Sequence, residues 1–411
     1  MPASTLSPSL SRPVVAGIVT ALVGFTSSFA VVLAGLHAVG ANDAQAASGL
    51  LALTVAFGLG IVFLAWRSRL PITLAWSTPG AALLVSTGTV DGGWPAAVGA
   101  FLLVGLLIIL TGLLPAFGQL LSRIPSALAQ AMLAGVVLSL CLQPFSALSA
   151  NPLLIAPVIL SWLIMVKVAA RWAVPVAFAV ALLVIGISLA SSGTRIAIGS
   201  MLPAFTWTTP GFSWQAMVGI ALPLFIVTMA SQNIPGVAVL SSFGFRTPWR
   251  PSMLVTGLGT VFGAPFGGHA INLAALSAAL AAGDEAGPDK NRRWIAAFSA
   301  GWAYLVLAAL SAALVTVVVA APRGVIETVA GLALMSTFIG SISAAFAQLE
   351  ERVAAGITFL LAASGLSFGG IGAAFWALLA GLLVRWLLAA RKPQSAPAPE
   401  APAPPAPDRP A

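Results

Sequence analysis

The chain has 411 residues, of which 59% are hydrophobic and 7% charged, and its formal net charge is +8. A soluble domain carries about 25% charged residues, so this composition excludes an ordinary soluble enzyme and indicates a polytopic membrane protein in a lipid bilayer. The basic residues stand singly between apolar segments and form no aromatic-interleaved patch, which excludes nucleic acid as a partner.

The first apolar run, 14–38, is longer than the roughly 7–15-residue core of a signal peptide, so we predict a retained spanning helix. A membrane helix needs roughly 20 apolar residues. Uninterrupted spans are predicted at 14–38, 47–66, 94–114, 124–145, 152–170, 173–190, 214–239, 294–320, 324–346, 353–368 and 370–390.

Three further stretches, 72–89, 252–264 and 265–282, are apolar but short or interrupted by proline and glycine. Counting them gives fourteen segments. With the N-terminus in the cytoplasm, all of the 18 basic residues except Arg195 and Arg323 then lie on the inner side, as the positive-inside rule requires. We therefore expect a multi-pass protein of the bacterial inner membrane with both termini in the cytoplasm.

Fourteen segments divide into two sets of seven, and an odd-numbered repeat must be inverted in the membrane. The expected organisation is a cytoplasmic N-terminus (1–13), a first repeat (14–190), a linker (191–212), a second repeat (213–390) and a disordered Pro/Ala-rich tail (391–411). The fold class is all-α, with segments 3 and 10 broken.

The two broken segments occupy matching positions in the repeats, and each is predicted as a short extended stretch followed by a half-helix. In segment 3, Pro79 suits the first helical turn, and Ser77 or Thr78 suits the cap before it. In segment 10, Pro265, Gly267 and Gly268 interrupt the helix. Paired broken segments indicate the central site of a transporter, and two opposed helix N-termini would favour an anion.

Four stretches in order carry a family resemblance: GFTSSFAVVLAG (24–35), LPITLAWSTPGAALL (70–84), LPLFIVTMASQNIPGVAVL (222–240) and FGAPFGGHAINLAALSAAL (262–280). Over about residues 12–390 the chain resembles the benzoate:proton symporter family (BenE type). That family is similar in fold to uracil permeases and sulfate-permease anion transporters.

The resemblance implies a core domain of segments 1–4 and 8–11 and a gate domain of segments 5–7 and 12–14. It also implies two short antiparallel strands meeting at the centre, in the broken segments. The implied activity is proton-coupled uptake of benzoate or a similar aromatic carboxylate, with the substrate and a proton as partners.

His269 lies at the break of segment 10, and histidine titrates near neutral pH. We expect it to pair with the substrate carboxylate or to relay the proton; the alternative is a neutral histidine bonded to the strand backbone. Gln232, Asn233 and Asn272 either contact substrate or join helices. Nucleobase permeases carry an acidic residue in segment 8, and the neutral amides found here suit a carboxylate substrate.

Phe25, Thr26 and Ser28 lie mid-membrane in segment 1, where they could stack on an aromatic ring and donate hydrogen bonds, or simply pack. The candidate substrate-binding residues are thus Phe25, Thr26, Ser28, Ser77, Thr78, Pro79, Gly80, Gln232, Asn233, Gly267, Gly268, His269 and Asn272. His269 is also the candidate for proton coupling.

Other functions stay open. One is a transporter of the same fold for another anion or a nucleobase, and another is an uncoupled anion channel. An enzyme is not expected, because the sequence has neither a phosphate-binding loop nor Cys/His metal spacing, and no cofactor or metal is expected either. A homodimer is one assembly that the sequence allows.

Overall fold

The computed structural model describes residues 10–114, 125–193 and 201–389, without the side chains of Leu276 and Ala389. The predicted tail, most of the predicted N-terminal segment and part of the linker lie outside these residues. Arg123 and Arg195, on which the orientation argument partly rests, also lie outside them.

Helices dominate both halves of the chain. The first half contains α1 (Ser11–Thr26), α2 (Phe29–Ala38), α3 (Asp43–Ser68), β1 (Leu74–Trp76), α4 (Thr78–Thr87), α5 (Gly93–Leu113), α6 (Ser126–Ala150), α7 (Pro152–Ala169) and α8 (Ala173–Ser192). The second half contains α9 (Trp214–Ser242), α10 (Trp249–Gly263), β2 (Ile271–Leu273), α11 (Leu276–Ala282), α12 (Trp294–Val319), α13 (Val325–Ala345), α14 (Arg352–Ala363) and α15 (Ala373–Ala389).

Within the described ranges, 8 helical stretches are long and apolar enough to cross a membrane, with α1–α2 and α7–α8 each taken together. The stretch Pro152–Ser192 has 41 residues. At about 1.5 Å per residue it is roughly twice as long as the ~30 Å hydrocarbon core is thick, so it holds two of the predicted segments. The chain is therefore a multi-pass membrane protein. The fourteen-segment count and the inverted repeat stay predictions.

The two broken segments are joined by a two-stranded antiparallel sheet. β1 pairs with β2 in the register Leu74↔Leu273, Ala75↔Asn272 and Trp76↔Ile271. Further hydrogen bonds extend the pairing, from Ser77 N–H to the Ala270 carbonyl (3.0 Å) and from Ala274 N–H to the Thr73 carbonyl (3.0 Å). Residues almost 200 positions apart in the chain are thus fixed side by side at the start of the two half-helices.

Segment 1, expected to be one continuous helix, is interrupted. α1 ends at Thr26 and α2 begins at Phe29, with Ser28 at φ −132° and ψ −10° between them. At this break, which contains neither proline nor glycine, the Thr26 hydroxyl donates to the Leu22 carbonyl (2.7 Å) and Ser28 Oγ accepts from Thr78 Oγ1 (2.8 Å). Hydroxyl groups of this kind compete with helical hydrogen bonds.

Segment 8, its counterpart in the predicted repeat, stays helical throughout α9. It widens into a π-turn over Met229–Asn233, a type of irregularity found often at functional sites. Both predicted continuous spans therefore carry a local irregularity at mid-length.

Close packing holds the strands against the long helices. A side chain at Gly49 of α3 would place its Cβ 2.6 Å from the Gly267 carbonyl oxygen, so only glycine allows this contact. Gly267 itself has φ +96°, a conformation that favours glycine. The prediction that Gly267 breaks the helix and permits close backbone approach is confirmed.

The far end of half-helix α11 is held by a buried arginine. Arg293 is 2% exposed and donates to the carbonyls of Ala282 (2.5 Å) and Gly287 (3.0 Å) and to the Asp284 carboxylate (2.6 Å). Ala282 is the last residue of α11, and a cation is favourable at a helix C-terminus. Arg293 therefore fixes the C-terminal end of the broken segment.

Candidate functional site

Four irregular points of the backbone meet where the strands cross. α1 packs against α11 and α2 against α4, so the Ser27–Ser28 break lies between the two half-helices. In α9, Leu222–Thr228 packs against α4 and Ile234–Ser242 against α11, so the π-turn lies there too. Backbone of this kind at membrane depth is tolerated where it is buried in protein or lines a cavity.

The N-terminus of α4 is built as the sequence predicted. Ser77 caps the helix, its Oγ accepting the Gly80 N–H (3.2 Å), and Pro79 occupies the first turn. Ser77 Oγ also shares a hydrogen bond with Thr228 Oγ1 (2.8 Å), which ties the cap to α9. Thr78 Oγ1 donates to Ser28 Oγ (2.8 Å) and so joins α4 to the break in segment 1.

Fewer free amides are present at α4 than the sequence analysis expected. Pro79 has no N–H, the Gly80 N–H is bound to Ser77 Oγ, and the Ala81 N–H is bound to the Ser77 carbonyl (2.8 Å). Within the part of the chain that the structure describes, only the Thr78 amide of this turn has no hydrogen-bond partner.

The break in segment 1 supplies a helix N-terminus that the sequence analysis missed. α2 has ten residues and begins at Phe29 with no side-chain cap from Ser28. The first-turn amides of a helix lack intrahelical acceptors, and the helix dipole there favours negative charge. The hydroxyl-rich run Thr26-Ser27-Ser28 was the available signal for this break.

The expected counterpart at segment 10 is weaker. α11 has seven residues and begins at Leu276 without a side-chain cap. Gly267 and Gly268 precede it by the length of β2 and pack against α3 and the end of α10. The glycines therefore precede an extended stretch that is followed by the half-helix, which is the order that the sequence analysis predicted.

His269 is completely buried and turned toward the other broken segment. Its Nε2 lies 3.0 Å from the Ser77 carbonyl oxygen, so the ring donates there, and Phe101 packs edge-on at 6.2 Å between centroids. Nδ1 has no hydrogen-bond partner among the described residues. The contact to Ser77 agrees with the alternative prediction, in which the histidine binds strand backbone. It also places a titratable group one residue from Thr78.

Asn233 and Asn272 each form hydrogen bonds with backbone atoms at the strands. Asn233 Oδ1 accepts the Leu273 N–H (2.8 Å), which fixes the π-turn to β2. The Asn272 amide is satisfied when its oxygen accepts the Ser77 N–H (3.1 Å) and its nitrogen donates to the Leu273 carbonyl (2.9 Å). Both side chains are completely buried, which matches the helix-joining alternative considered for them.

Phe25 is also completely buried. Its ring lies 5.4 Å from that of Phe29 and 5.3 Å from that of Trp76, and Trp76 meets Phe57 edge-on at 5.6 Å. Phe25 therefore packs in an aromatic cluster behind the break, and in this conformation it presents no surface to a ligand.

Four predicted residues remain partly accessible at the meeting point. Thr26, Ser28, Thr78 and Gln232 are each half-buried, and their neighbours Ser27 and Ser231 are as well. Gln232 forms no hydrogen bond to another described side chain, and Ser231 Oγ is buried without a partner among the described residues. We call Thr26, Ser28, Thr78 and Gln232 the central polar patch. It offers hydroxyl and amide donors and contains no carboxylate.

Comparison with known proteins places the chain among transporters. Residues 7–387 match the family described as benzoate membrane transport protein (BenE). The chain is 40% identical to the inner membrane protein YdcO of Escherichia coli K12, over 89% of this chain and 93% of that protein. It is 28% identical to the benzoate membrane transport protein of Acinetobacter baylyi, over 91% of this chain and 94% of that protein.

Two solved structures share the fold at low sequence identity. The transmembrane domain of the cyanobacterial bicarbonate transporter BicA aligns with a TM-score of 0.57 at 17% identity, covering 93% of this chain and 97% of that domain. The murine anion transporter Slc26a9, in its inward-facing state, aligns with a TM-score of 0.63 at 14% identity, covering 95% and 70%. With the family match over nearly its whole length, the chain belongs to the benzoate membrane transport (BenE) family.

Proposed function

We propose that this protein is a secondary active transporter that carries benzoate or a similar aromatic carboxylate, together with a proton, across the bacterial inner membrane by alternating access. The observation that carries the proposal is the central polar patch, a carboxylate-free set of donors. It lies where the break in segment 1, the start of α4 and the π-turn of α9 meet. The family match and the Acinetobacter relative support the substrate.

The patch suits a carboxylate for electrostatic reasons. Benzoic acid resembles a side-chain carboxylic acid, with a pKa of about 4, so it is an anion at neutral pH. The Thr78 hydroxyl would exchange its bond to Ser28 Oγ for one to the carboxylate, and the Thr78 amide, the Ser28 hydroxyl and the Gln232 amide would also donate to the carboxylate oxygens. These donors lie beside the N-termini of α2 and α4. The ring would lie against apolar side chains of segments 1 and 8.

His269 is the proposed proton-coupling residue. Its Nε2 donates to the carbonyl of Ser77, and the side chain of Ser77 caps α4. A change in the protonation of His269 would therefore act on the N-terminus of α4 through one residue. It would reach the substrate through Thr78 without direct contact.

The contacts between helices support a core and a gate domain. α3 packs on α12, and α5 on α10, whereas α6 packs on α13 and α14. The two sets meet mainly where α2 touches α13 and α4 touches α6. The half-helix α4, which carries Thr78 of the central polar patch, therefore lies at the border between the core and gate domains. Sliding of the core against the gate would expose it to either side of the membrane.

Uptake of radiolabelled benzoate into proteoliposomes under an imposed pH gradient tests the proposal. We expect accumulation with the outside acidic, and a protonophore should abolish it. A tenfold excess of bicarbonate, sulfate or uracil should compete poorly. Benzoate flux that ignores the pH gradient would indicate the uncoupled channel, and displacement by one of the competitors would assign another substrate.

Changing Gln232 to glutamate should reduce benzoate uptake more than tenfold. Two like charges about 5 Å apart repel by about 3 kcal/mol at an effective dielectric of about 20. Gln232→Met, which removes the amide without adding charge, is the matched control and should cost much less. The measurement is the initial rate of benzoate uptake at equal expression. Equal losses in the two variants would mean that Gln232 does not belong to the central polar patch.

A further inference from the structure

A second cavity, separate from the central polar patch, opens between the two sets of helices near the ends of α2 and α12. Its volume is about 350 Å³. Leu33, Leu140 and Ile326 contribute apolar walls, and Arg323, His37, Asp43 and Glu327 contribute polar groups. Ligand pockets typically occupy about 300–1,000 Å³ with mostly apolar walls and a few polar groups, so the cavity is large enough for a small aromatic acid.

The cavity contains one arginine and two acids, and each acid has a partner other than the arginine. Glu327 Oε2 accepts the Gly324 N–H (3.0 Å) and so caps α13. Asp43 Oδ1 lies 3.4 Å from His37 Nε2. Among the described residues, no carboxylate lies within ion-pair distance of Arg323, although both acids line the same cavity. Its guanidinium is therefore available to an external anion.

One wall of the cavity lies close to the central polar patch along α2. Leu33 follows Ser28 by five residues on the same helix, which corresponds to about 7.5 Å at about 1.5 Å per residue. The walls come from α2 on one side and from α6 and α13 on the other, the same helices that meet at the domain border. By the predicted orientation, Arg323 lies on the outer face.

We infer that this cavity is an outer binding site for aromatic monocarboxylates, from which substrate passes to the central polar patch. Arg323 binds the carboxylate at the mouth, where a guanidinium fork matches carboxylate geometry. The ring lies on Leu33, Leu140 and Ile326. The chemical class of the ligand rests on the proposed function, whereas the cavity and its unpaired arginine do not.

Alkylation of an introduced cysteine tests the site without relying on transport. Cys141 is the only cysteine and is buried, so Ala34→Cys in a Cys141→Ala background places one reactive thiol on the cavity wall. Benzoate should slow its alkylation by a maleimide several-fold, and the neutral isostere benzamide should not. Adding Arg323→Gln should remove the protection. Absence of protection by benzoate, or protection that survives Arg323→Gln, would overturn the inference.

Uptake kinetics in intact cells give the second measurement. Arg323→Gln should raise the KM for external benzoate about three- to tenfold with little change in maximal rate, and Arg323→Lys should lie between it and the parent. Arg246→Gln is the matched control, since it removes one exposed arginine placed on the predicted inner side. An unchanged KM in Arg323→Gln would contradict the site.

The two experiments separate the two proposals. Protection without any benzoate uptake by the parent protein would leave the outer site standing and refute the proposed function. Benzoate uptake by the parent protein without protection of the thiol would support the proposed function and refute the outer site. Arg323 is exposed, so its replacement does not endanger folding.

Discussion

Replacing His269 with alanine is expected to lower benzoate uptake at least tenfold. The imidazole is completely buried and donates to the Ser77 carbonyl (3.0 Å), which keeps only the Ala81 N–H (2.8 Å) as a donor when the imidazole is lost. A lost hydrogen bond costs about 0.5–1.5 kcal/mol, the cavity left by the ring adds to that cost, and about 1.4 kcal/mol corresponds to a tenfold change in the population of the intact site.

His269→Gln separates support of the backbone from proton coupling. Glutamine keeps a donor for the Ser77 carbonyl but does not titrate near neutral pH. We expect this variant to fold and to bind benzoate while its uptake loses dependence on the external pH. Uptake should be measured over a range of external pH at equal expression.

Gly186→Ala in α8, where nothing lies within 4 Å of the added methyl group, is the control variant and should keep the parental pH profile. Parental pH-dependent uptake in both His269 variants would eliminate this residue as the proton carrier.

Gly80→Ala should also abolish most uptake, and for a steric reason. A Cβ at this position would lie 2.3 Å from Leu224 Cδ1 and 2.7 Å from Ser77 Oγ. The added methyl group must turn the buried Leu224 side chain, push α9 from α4 or displace the capping serine, and overpacking of this kind typically costs about 1–3 kcal/mol. The expected result is a lower unfolding temperature together with reduced transport.

Two further variants make this prediction specific. Gly186→Ala in α8 adds the same methyl group where nothing lies within 4 Å, so it should be neutral or slightly stabilising. Leu224→Ala in the Gly80→Ala background should restore part of the lost activity, because it removes the clashing atom. Parental uptake in Gly80→Ala would mean that α4 and α9 are not in close contact in the working protein.

The sequence predicted the backbone breaks most accurately where proline or glycine marks them. Pro79 and Ser77 form the expected first turn and cap of α4, and Gly267, which was expected to interrupt the helix, has φ +96°. In both cases one residue type has a conformational preference strong enough to decide the local structure.

The other breaks had no such marker. The run 14–38 is apolar almost throughout, and the interruption at Ser28 depends on hydroxyl groups and on the helices packed around it. The π-turn at Met229–Asn233 likewise has no simple sequence signature. Tertiary contacts decide both, so residue patterns in isolation could not locate them.

Partners distant in the chain were the hardest part of the site to foresee. Polarity at membrane depth marked His269, Asn233 and Asn272 as important. Binding to strand backbone was one of two alternatives for His269, and it was not foreseen for the two asparagines. Their acceptors and donors are set by the pairing of β1 with β2, which brings together residues almost 200 positions apart. The accessible patch is accordingly smaller than the predicted set of residues.

A structure of the protein with 4-bromobenzoate, solved with anomalous data at the bromine edge, tests the central claim most directly. We expect one carboxylate oxygen within about 2.7–3.2 Å of the Ser28 or Thr78 hydroxyl, with the bromine on the apolar side of the break. Bromine density confined to the outer cavity or to the lipid-facing surface, with the hydrogen bond between Thr78 and Ser28 intact, would contradict the central polar patch as the substrate site.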